Sequence, residues 1–333
     1  MDFGGSRVLV TGGGGFLGSH LVDRLITKDC EVVVADDFSR GRVEHIEQHE
    51  NDIDLVPVDL TTPTGCQRAT EDVDYVFHLA ASVGGIHYIQ RENVGGLTPS
   101  VLMNHHLLDE AHRNDVDRFL FASSACIYRQ QHDGLNRFSE EQAIPADPHS
   151  TYGWAKILGE VGCHAYHEDT EMDCGMVRIF NAYGTRENLD PESSHVIPSL
   201  CRKVIEEPDG GSIELFGDGT QKRGFIYATD CVEGMIRAMA NKTDGEAVNL
   251  GNGKEVVSIN DLAETIIEIS GKDLTIEHDT SKPTGTDKYA ADTTLMEESL
   301  DWHPEVTLED GVREVYEWAE EKLASEQAIE GTV

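Results

Sequence analysis

Residues 7–18 read RVLVTGGGGFLG, a short apolar run that ends in a string of glycines. A helical pattern follows through Leu17, Leu21, Leu25 and Ile26. Strand, glycine turn and helix in that order open a βαβ unit. Gly12, Gly15 and Gly18 stand in G-x-x-G-x-x-G spacing, which lets a backbone come close to a pyrophosphate while the helix N-terminus offers free N–H groups and a positive dipole. The next apolar run, EVVVAD at 31–36, ends on Asp36, 18 residues beyond Gly18, where a carboxylate can take the ribose hydroxyls. Gly12, Gly15, Phe16, Leu17, Gly18 and Asp36 are therefore expected to hold a dinucleotide. Asp37 follows, no arginine is adjacent in sequence, and a 2′-phosphate would meet a carboxylate, so NAD is expected over NADP.

The alternation continues with IDLVPVDL at 53–60, DYVFHLA at 74–80, RFLFASS at 118–124 and CGMVRIF at 174–180, with helix-like stretches between most of them. That rhythm predicts an α/β fold with a Rossmann-type doubly wound parallel sheet. Asp59 and Leu60 after the third strand, and His78, Leu79, Ala80 and Ala81 after the fourth, fall where further cofactor contacts are expected. After Asn181 the pattern changes. TRENLDPESSH at 185–195 is polar and loop-like, and IELFGDGTQKR at 213–223 reads as strand and turn. AVNLG at 247–251 then looks like one more strand of the first sheet, and Ser258 with Asp261 starts a helix. The domains are expected to interleave: residues 1–182 with 225–253 bind the cofactor, and 183–224 with 254–333 form a smaller substrate-binding region.

Composition narrows the partners. Sixty-two acidic against 26 basic residues give a formal net charge of −36, spread along the chain, which argues against nucleic acid or an anionic membrane as partner. A salt-loaded cytoplasm accounts for it, because at 1 M salt the Debye length is about 3 Å and self-repulsion is screened. No signal-peptide pattern and no apolar run of membrane-spanning length is seen, so a cytoplasmic location and a halophilic host are expected. Seven cysteines with no C-x-x-C pair form neither a disulfide framework nor a zinc pattern, and most are expected to be core fillers.

TYGWAK at 151–156 puts Tyr152 and Lys156 four residues apart, on one helical face. An ammonium there is expected to lower the phenol pKa from about 10 toward a value suited to general base work. With the glycine turn and with Ser123-Ser124 at a strand end, the set resembles the extended short-chain dehydrogenases/reductases that act on nucleotide sugars. The resemblance covers roughly residues 6–320. It implies Ser124, Tyr152 and Lys156 as the catalytic triad, Asn181 and Arg223 near a nucleotide-diphosphate sugar, and a homodimer. SSACIY at 123–128, VGGI at 83–86 and GDGTQKRGFIYATDCVEG at 217–234 are similar to GDP-mannose 3,5-epimerases, where the cysteine matching Cys126 is an acid/base group. SSHVIP at 193–198 and SKPTGT at 281–286 are similar instead to GDP-fucose synthases, which pair that cysteine with a histidine at the position of His195. Gly84, Gly85 and Lys288 are further substrate candidates. The departures are His195 where the epimerases usually carry lysine, Arg129 where proline usually follows, and Lys288 where an arginine is expected.

The chemistry explains a thiol beside a dehydrogenase triad. Once the sugar C4 is a ketone, the C–H bonds at C3 and C5 become acidic, and inverting them takes a base and an acid. A thiol and an imidazole, with reference pKa values of about 8.5 and 6.5, exchange protons near neutrality. The expected activity is an NAD-dependent nucleotide-sugar epimerase acting at C3/C5. A 4-keto-6-deoxy-sugar epimerase-reductase, a UDP-sugar 4-epimerase and a non-catalytic NAD-binding regulator stand as alternatives; a 4,6-dehydratase would carry Asp-Glu where Ala125-Cys126 stands.

Overall fold

The opening stretch is β1 (Arg7–Thr11) turning into α1 (Phe16–Ile26). In the computed structural model, which describes residues 3–82, 93–129, 137–148, 150–191, 193–282 and 288–330, the alternation runs on through β2 (Glu31–Asp36), β3 (Ile53–Pro57), α2 (Pro63–Ala69), β4 (Tyr75–His78), α3 (Asn93–Arg113), β5 (Arg118–Ser124), α4 (Thr151–Asp169) and β6 (Asp173–Ile179). The chain continues with β7 (Ala182–Tyr183), α5 (Val196–Glu206), β8 (Ser212–Phe216), β9 (Lys222–Gly224), β10 (Ile226–Tyr227), α6 (Ala228–Asn241), β11 (Ala247–Leu250), β12 (Val256–Ser258), α7 (Ile259–Ser270), β13 (Thr275–Asp279), β14 (Lys288–Tyr289), α8 (Thr294–Leu300) and α9 (Leu308–Glu330).

Seven of the described strands form one parallel sheet in the order β11–β6–β5–β4–β1–β2–β3. This is the expected doubly wound α/β fold, and AVNLG does return to it as β11 beside β6. Strand order reverses between β1 and β4, so the loops at their carboxyl ends diverge and leave a crevice there.

Side chains alternate across this sheet with period two. Val8, Val10, Val32, Val34, Phe77, Leu120 and Val177 pack on α1 and α6, whereas Leu9, Val33, Val76, Phe119, Phe121 and Met176 pack on α2, α3 and α4. Each such fully buried side chain stabilises the fold by roughly 1.5–3 kcal/mol. Cys66, Cys163, Cys174 and Cys231 are buried among these apolar groups and Cys201 is buried in the second core; Cys30 and Cys126 are only partly buried.

A second core joins α5, α7 and α9 with β8 and its parallel partner β13. Ser258 and Asp261 form a reciprocal capping box at the start of α7, and Gly271, in the left-handed region at φ 69°, ends it. Residues 294–302, placed with the smaller region in the sequence, pack against the large sheet: Met296 and Leu300 of α8 and Trp302 share the core of α1, α6 and β11. A third cluster, Ile127, Tyr128, Phe138, Phe180 and Ala291, braces the turn that carries Cys126. Among the described residues no helix is long and apolar enough to cross a membrane.

Candidate active site

The carboxyl ends of the strands open on a cavity of about 1520 Å³. That exceeds the roughly 300–1,000 Å³ of a drug-sized pocket and suits two nucleotide-sized ligands. Gly12, Gly15, Phe16, Leu17 and Gly18 line it. Gly12 has φ +69° and packs on the Ala80 backbone, and a Cβ on Gly18 would stand 2.1 Å from the Gly12 carbonyl oxygen. The turn is closed against side chains but open to a ligand's phosphates at the start of α1.

Asp36 also lines the cavity. One carboxylate oxygen accepts the Gly14 N–H at 2.9 Å and the other the Phe38 N–H at 2.8 Å, leaving each a lone pair for a ribose hydroxyl. Burial pushes this carboxyl above its usual range, and the backbone bonds oppose that shift. Asp59, held below the usual range by the Thr61 hydroxyl and N–H, lines the cavity with Leu60, Leu79, Ala80 and Ala81. No arginine adjoins Asp36 in sequence, yet Arg40 and Arg42 also line the cavity. The residues present thus fit a dinucleotide.

A buried relay ties this cradle to α4, the helix that carries Tyr152 and Lys156. Thr11 Oγ1 accepts the N–H groups of Leu79 and Ala80, each at 3.1 Å, so its own proton goes to His78 Nδ1 at 2.8 Å. His78 Nε2–H then donates to Asn104 Oδ1 at 3.0 Å, and Asn104 Nδ2 donates to the Ala155 carbonyl of α4 at 3.2 Å. The network itself selects this tautomer. Full burial drives the His78 imidazolium pKa down to about 3, so the ring is neutral.

α4 begins at Ser150, whose hydroxyl accepts the Gly153 N–H, and presents Tyr152 and Lys156 to the cavity beside Ser124 at the end of β5. The Ser124 hydroxyl accepts the Cys126 N–H at 3.1 Å and draws down the pKa of both the Tyr152 phenol and the Cys126 thiol. Lys156 Nζ donates to the Ala122 carbonyl at 2.6 Å and lies 5.6 Å from the Tyr152 ring centroid. The expected lowering of the phenol does not occur: burial raises the Tyr152 pKa, with the Cys126 sulfur adding to it and Ser124 opposing. Burial also lowers the Lys156 ammonium to about 8, with Cys126 and Glu160 opposing that shift. Cys126 lies on the turn Ala125–Ile127, its thiol pushed up by burial and drawn down by Ser124 and Lys156.

His195 lines the same cavity from the start of α5. Its Nδ1 is hydrogen-bonded to Glu187, a buried carboxylate that raises the imidazole pKa against the opposing cost of burial. Asn181, at φ 44°, donates Nδ2 to the Gly224 carbonyl at 2.9 Å, and Arg223 lies 6.0 Å over the Tyr289 ring; both line the cavity. Lys288 begins β14, where only its backbone is described, and Gly84 and Gly85 lie outside the described residues.

Three contributors escape the sequence reading. Tyr289 lines the cavity and hydrogen-bonds the Ala125 carbonyl, fixing the cysteine turn from β14. Glu187 sits in a polar loop with no periodic signal. Glu160 lies one turn beyond Lys156, so spacing could have found it; it takes the Ser123 hydroxyl at 2.5 Å and pairs with Arg178 at 2.8 Å, beneath the end of β5.

Fold and site together fit a dinucleotide-binding enzyme, and comparison with known proteins narrows the class. Residues 8–251 match the model of the NAD dependent epimerase/dehydratase family, and the chain belongs to that family. It is 34% identical over 324 residues to GDP-mannose 3,5-epimerase 1 of Oryza sativa subsp. indica, covering 96% of this chain and 83% of that one. It is 31% identical over 318 residues to a GDP-L-fucose synthase of Sinorhizobium fredii, covering 94% and 95%. Among solved structures, UDP-glucuronic acid 4-epimerase from Bacillus cereus, in complex with UDP-glucuronic acid and NAD, superposes with a TM-score of 0.84 at 29% identity, covering 95% of this chain and 99% of that one. The cofactor is NAD.

Proposed function

We propose that the protein is a nucleotide-sugar 3,5-epimerase acting on a GDP-hexose such as GDP-mannose. The observation that carries this is the meeting of Cys126 and His195, from different elements, in one cavity with Ser124, Tyr152 and Lys156. A 4-epimerase needs the last three but neither of the first two.

The glycine turn, Asp36, Asp59, Leu60 and Leu79 to Ala81 hold the cofactor, with Tyr152 and Lys156 beside its reacting end; Asn181, Arg223 and Lys288 hold the nucleotide sugar with Gly84 and Gly85. Bound NAD supplies a reversible hydride acceptor for the sugar C4. Tyr152, beside Ser124 in the cavity, takes the C4 hydroxyl proton, and Lys156 supplies the charge that offsets burial of the tyrosinate. Cys126 as thiolate then removes the proton from C3 or C5, the C–H electron pair passing into the enolate of the ketone. His195 as imidazolium gives a proton to the opposite face of the same carbon, and the enolate pair forms the new C–H bond. Solvent resets the thiol and imidazole.

In D₂O the wild type should place deuterium at C3 or C5 of GDP-mannose. Cys126→Ala and His195→Ala should each suppress that exchange by about 10²–10⁴-fold while sparing NAD binding, and Tyr152→Phe should abolish it. Inversion at C4 without deuterium at C3 or C5 would make the protein a 4-epimerase and refute the proposal.

A second reading has one observation behind it: Arg40 and Arg42 at the cavity wall could take the 2′-phosphate of NADPH, as an epimerase-reductase would need. Stoichiometric NADPH oxidation with a GDP-4-keto-6-deoxyhexose separates it from the first. For assembly, Trp154, Leu158 and Val161, at helical spacing, leave an exposed apolar stripe on α4, unusual on so acidic a surface, and this supports a homodimer.

A further inference from the structure

His195 occupies the N-cap position of α5, yet makes no side-chain cap bond. A helix start disfavours a cation, so nothing in that position calls for an imidazolium. The ring is turned instead to Glu187, whose carboxylate is almost wholly buried while the His195 side chain stays 60% exposed toward the cavity. A charge-assisted bond to a buried carboxylate outweighs a terminal dipole at the protein surface. Among the described residues His195 Nε2 has no partner, and Glu187 Oε2 is buried with none.

The carboxylate is also held in place. His20 Nε2 of α1 hydrogen-bonds the Thr185 carbonyl at 3.0 Å, and Arg186 pairs with Asp23 of α1 at 2.7 Å. Arg186 keeps φ +65°, a left-handed conformation that a non-glycine residue holds only where its surroundings fix it. The segment behind His195 is thereby fastened to the same helix whose start faces the cofactor.

We propose that Glu187 is a positioning residue for proton transfer: it holds the Nδ1 edge of His195, so that Nε2 is the atom that gives and takes the proton at the sugar carbon. This rests on the 3,5-epimerase reading and names the group that keeps its acid charged. The step moves one proton between Nε2 and carbon, and the Glu187 carboxylate itself is not protonated. The raised imidazole pKa agrees with this geometry. Other charged or titratable groups near the pair are Arg186 in the same segment and Cys201 of α5, whose thiol burial and Glu187 push up to about 12. Cys126, Tyr152, Lys156 and Arg223 face the cavity from other elements.

The test combines NMR titration of His195 with the pH dependence of deuterium exchange, in wild type, Glu187→Gln and Glu187→Asp. Glutamine keeps the shape and removes the charge. His195 should titrate at least about one pH unit lower in Glu187→Gln, and above that pKa each unit lost costs about tenfold in imidazolium. The exchange inflection that coincides with the His195 titration should move down with it, and Glu187→Asp should restore part of both. An unchanged titration, or a moved titration with an unmoved exchange profile, overturns the proposal while leaving the epimerase reading intact. A wild type that exchanges nothing at C3 or C5 fails that reading first, before any Glu187 variant is compared, and the proton-transfer role falls with it.

Discussion

Replacing Gly153 by alanine should slow turnover much more than it weakens the fold. Gly153 follows Tyr152 in the first turn of α4 and faces the cysteine turn, where an added Cβ would lie 2.5 Å from the Cys126 carbonyl oxygen and 2.6 Å from Pro148 Cβ. Ordinary contact begins near 3.4 Å, so both neighbours are about 0.8–0.9 Å too close. Neither can rotate away, since one is backbone and the other a proline ring. Alanine gains up to about 1 kcal/mol of helix propensity over glycine, whereas overpacking costs about 1–3 kcal/mol. The net loss of stability is therefore about 0–2 kcal/mol, small enough to leave a folded protein. Relief of the clash must part α4 from the turn by most of an ångström, and with it Tyr152 from Ser124 and Cys126. A misplacement of about 1 Å can cost 10²-fold in rate. Urea unfolding, NAD titration and turnover of GDP-mannose, measured on one preparation, separate these effects. Turnover should fall about 10–100-fold with NAD affinity kept. An alanine variant that turns over within twofold of wild type would show that the close approach of α4 to the cysteine turn does not set the reacting geometry.

Three further outcomes are expected. NAD should raise the melting temperature far more than NADP at matched concentration in high salt, because a 2′-phosphate would face the Asp36 carboxylate at the cavity wall; equal shifts would mean that Arg40 and Arg42 outweigh it. Stability should climb with KCl to molar concentration as the −36 net charge is screened, and a melting temperature flat from dilute buffer to 1 M would remove the halophilic reading. Below pH 6.5 the unfolded chain protonates His78 and the folded chain does not, so stability is full above that value and falls as pH drops toward about 3. The linked loss is of the order of 5 kcal/mol over the whole window, and His78→Asn should flatten the slope of urea stability between pH 4.5 and 7; an unchanged slope would place the acid sensitivity elsewhere.

What the sequence determined by itself was local or periodic. RVLVTGGGGFLG specifies a strand, a turn and a helix within one short stretch, and the two-residue alternation of Val8, Leu9 and Val10 fixes which side chains go to which face of the sheet. Tyr152 and Lys156 share a helix face through spacing alone, and Asp36 follows from its place at the end of β2. The tertiary structure decided whatever depended on chain segments meeting from a distance. Only closure of the fold brings His195 to the cavity of Cys126, sets Glu187 behind it, and lays β14 so that Tyr289 reaches Ala125. It also returns α8 to the first sheet, where Met296 and Leu300 find an apolar face that their own short helix cannot supply. Protonation states belong to this second group as well. Sequence put an ammonium beside a phenol, but burial around both raised the phenol and lowered the amine. Spacing along a chain determines which groups are neighbours on one element, whereas desolvation depends on everything packed around them and exists only once the chain has folded.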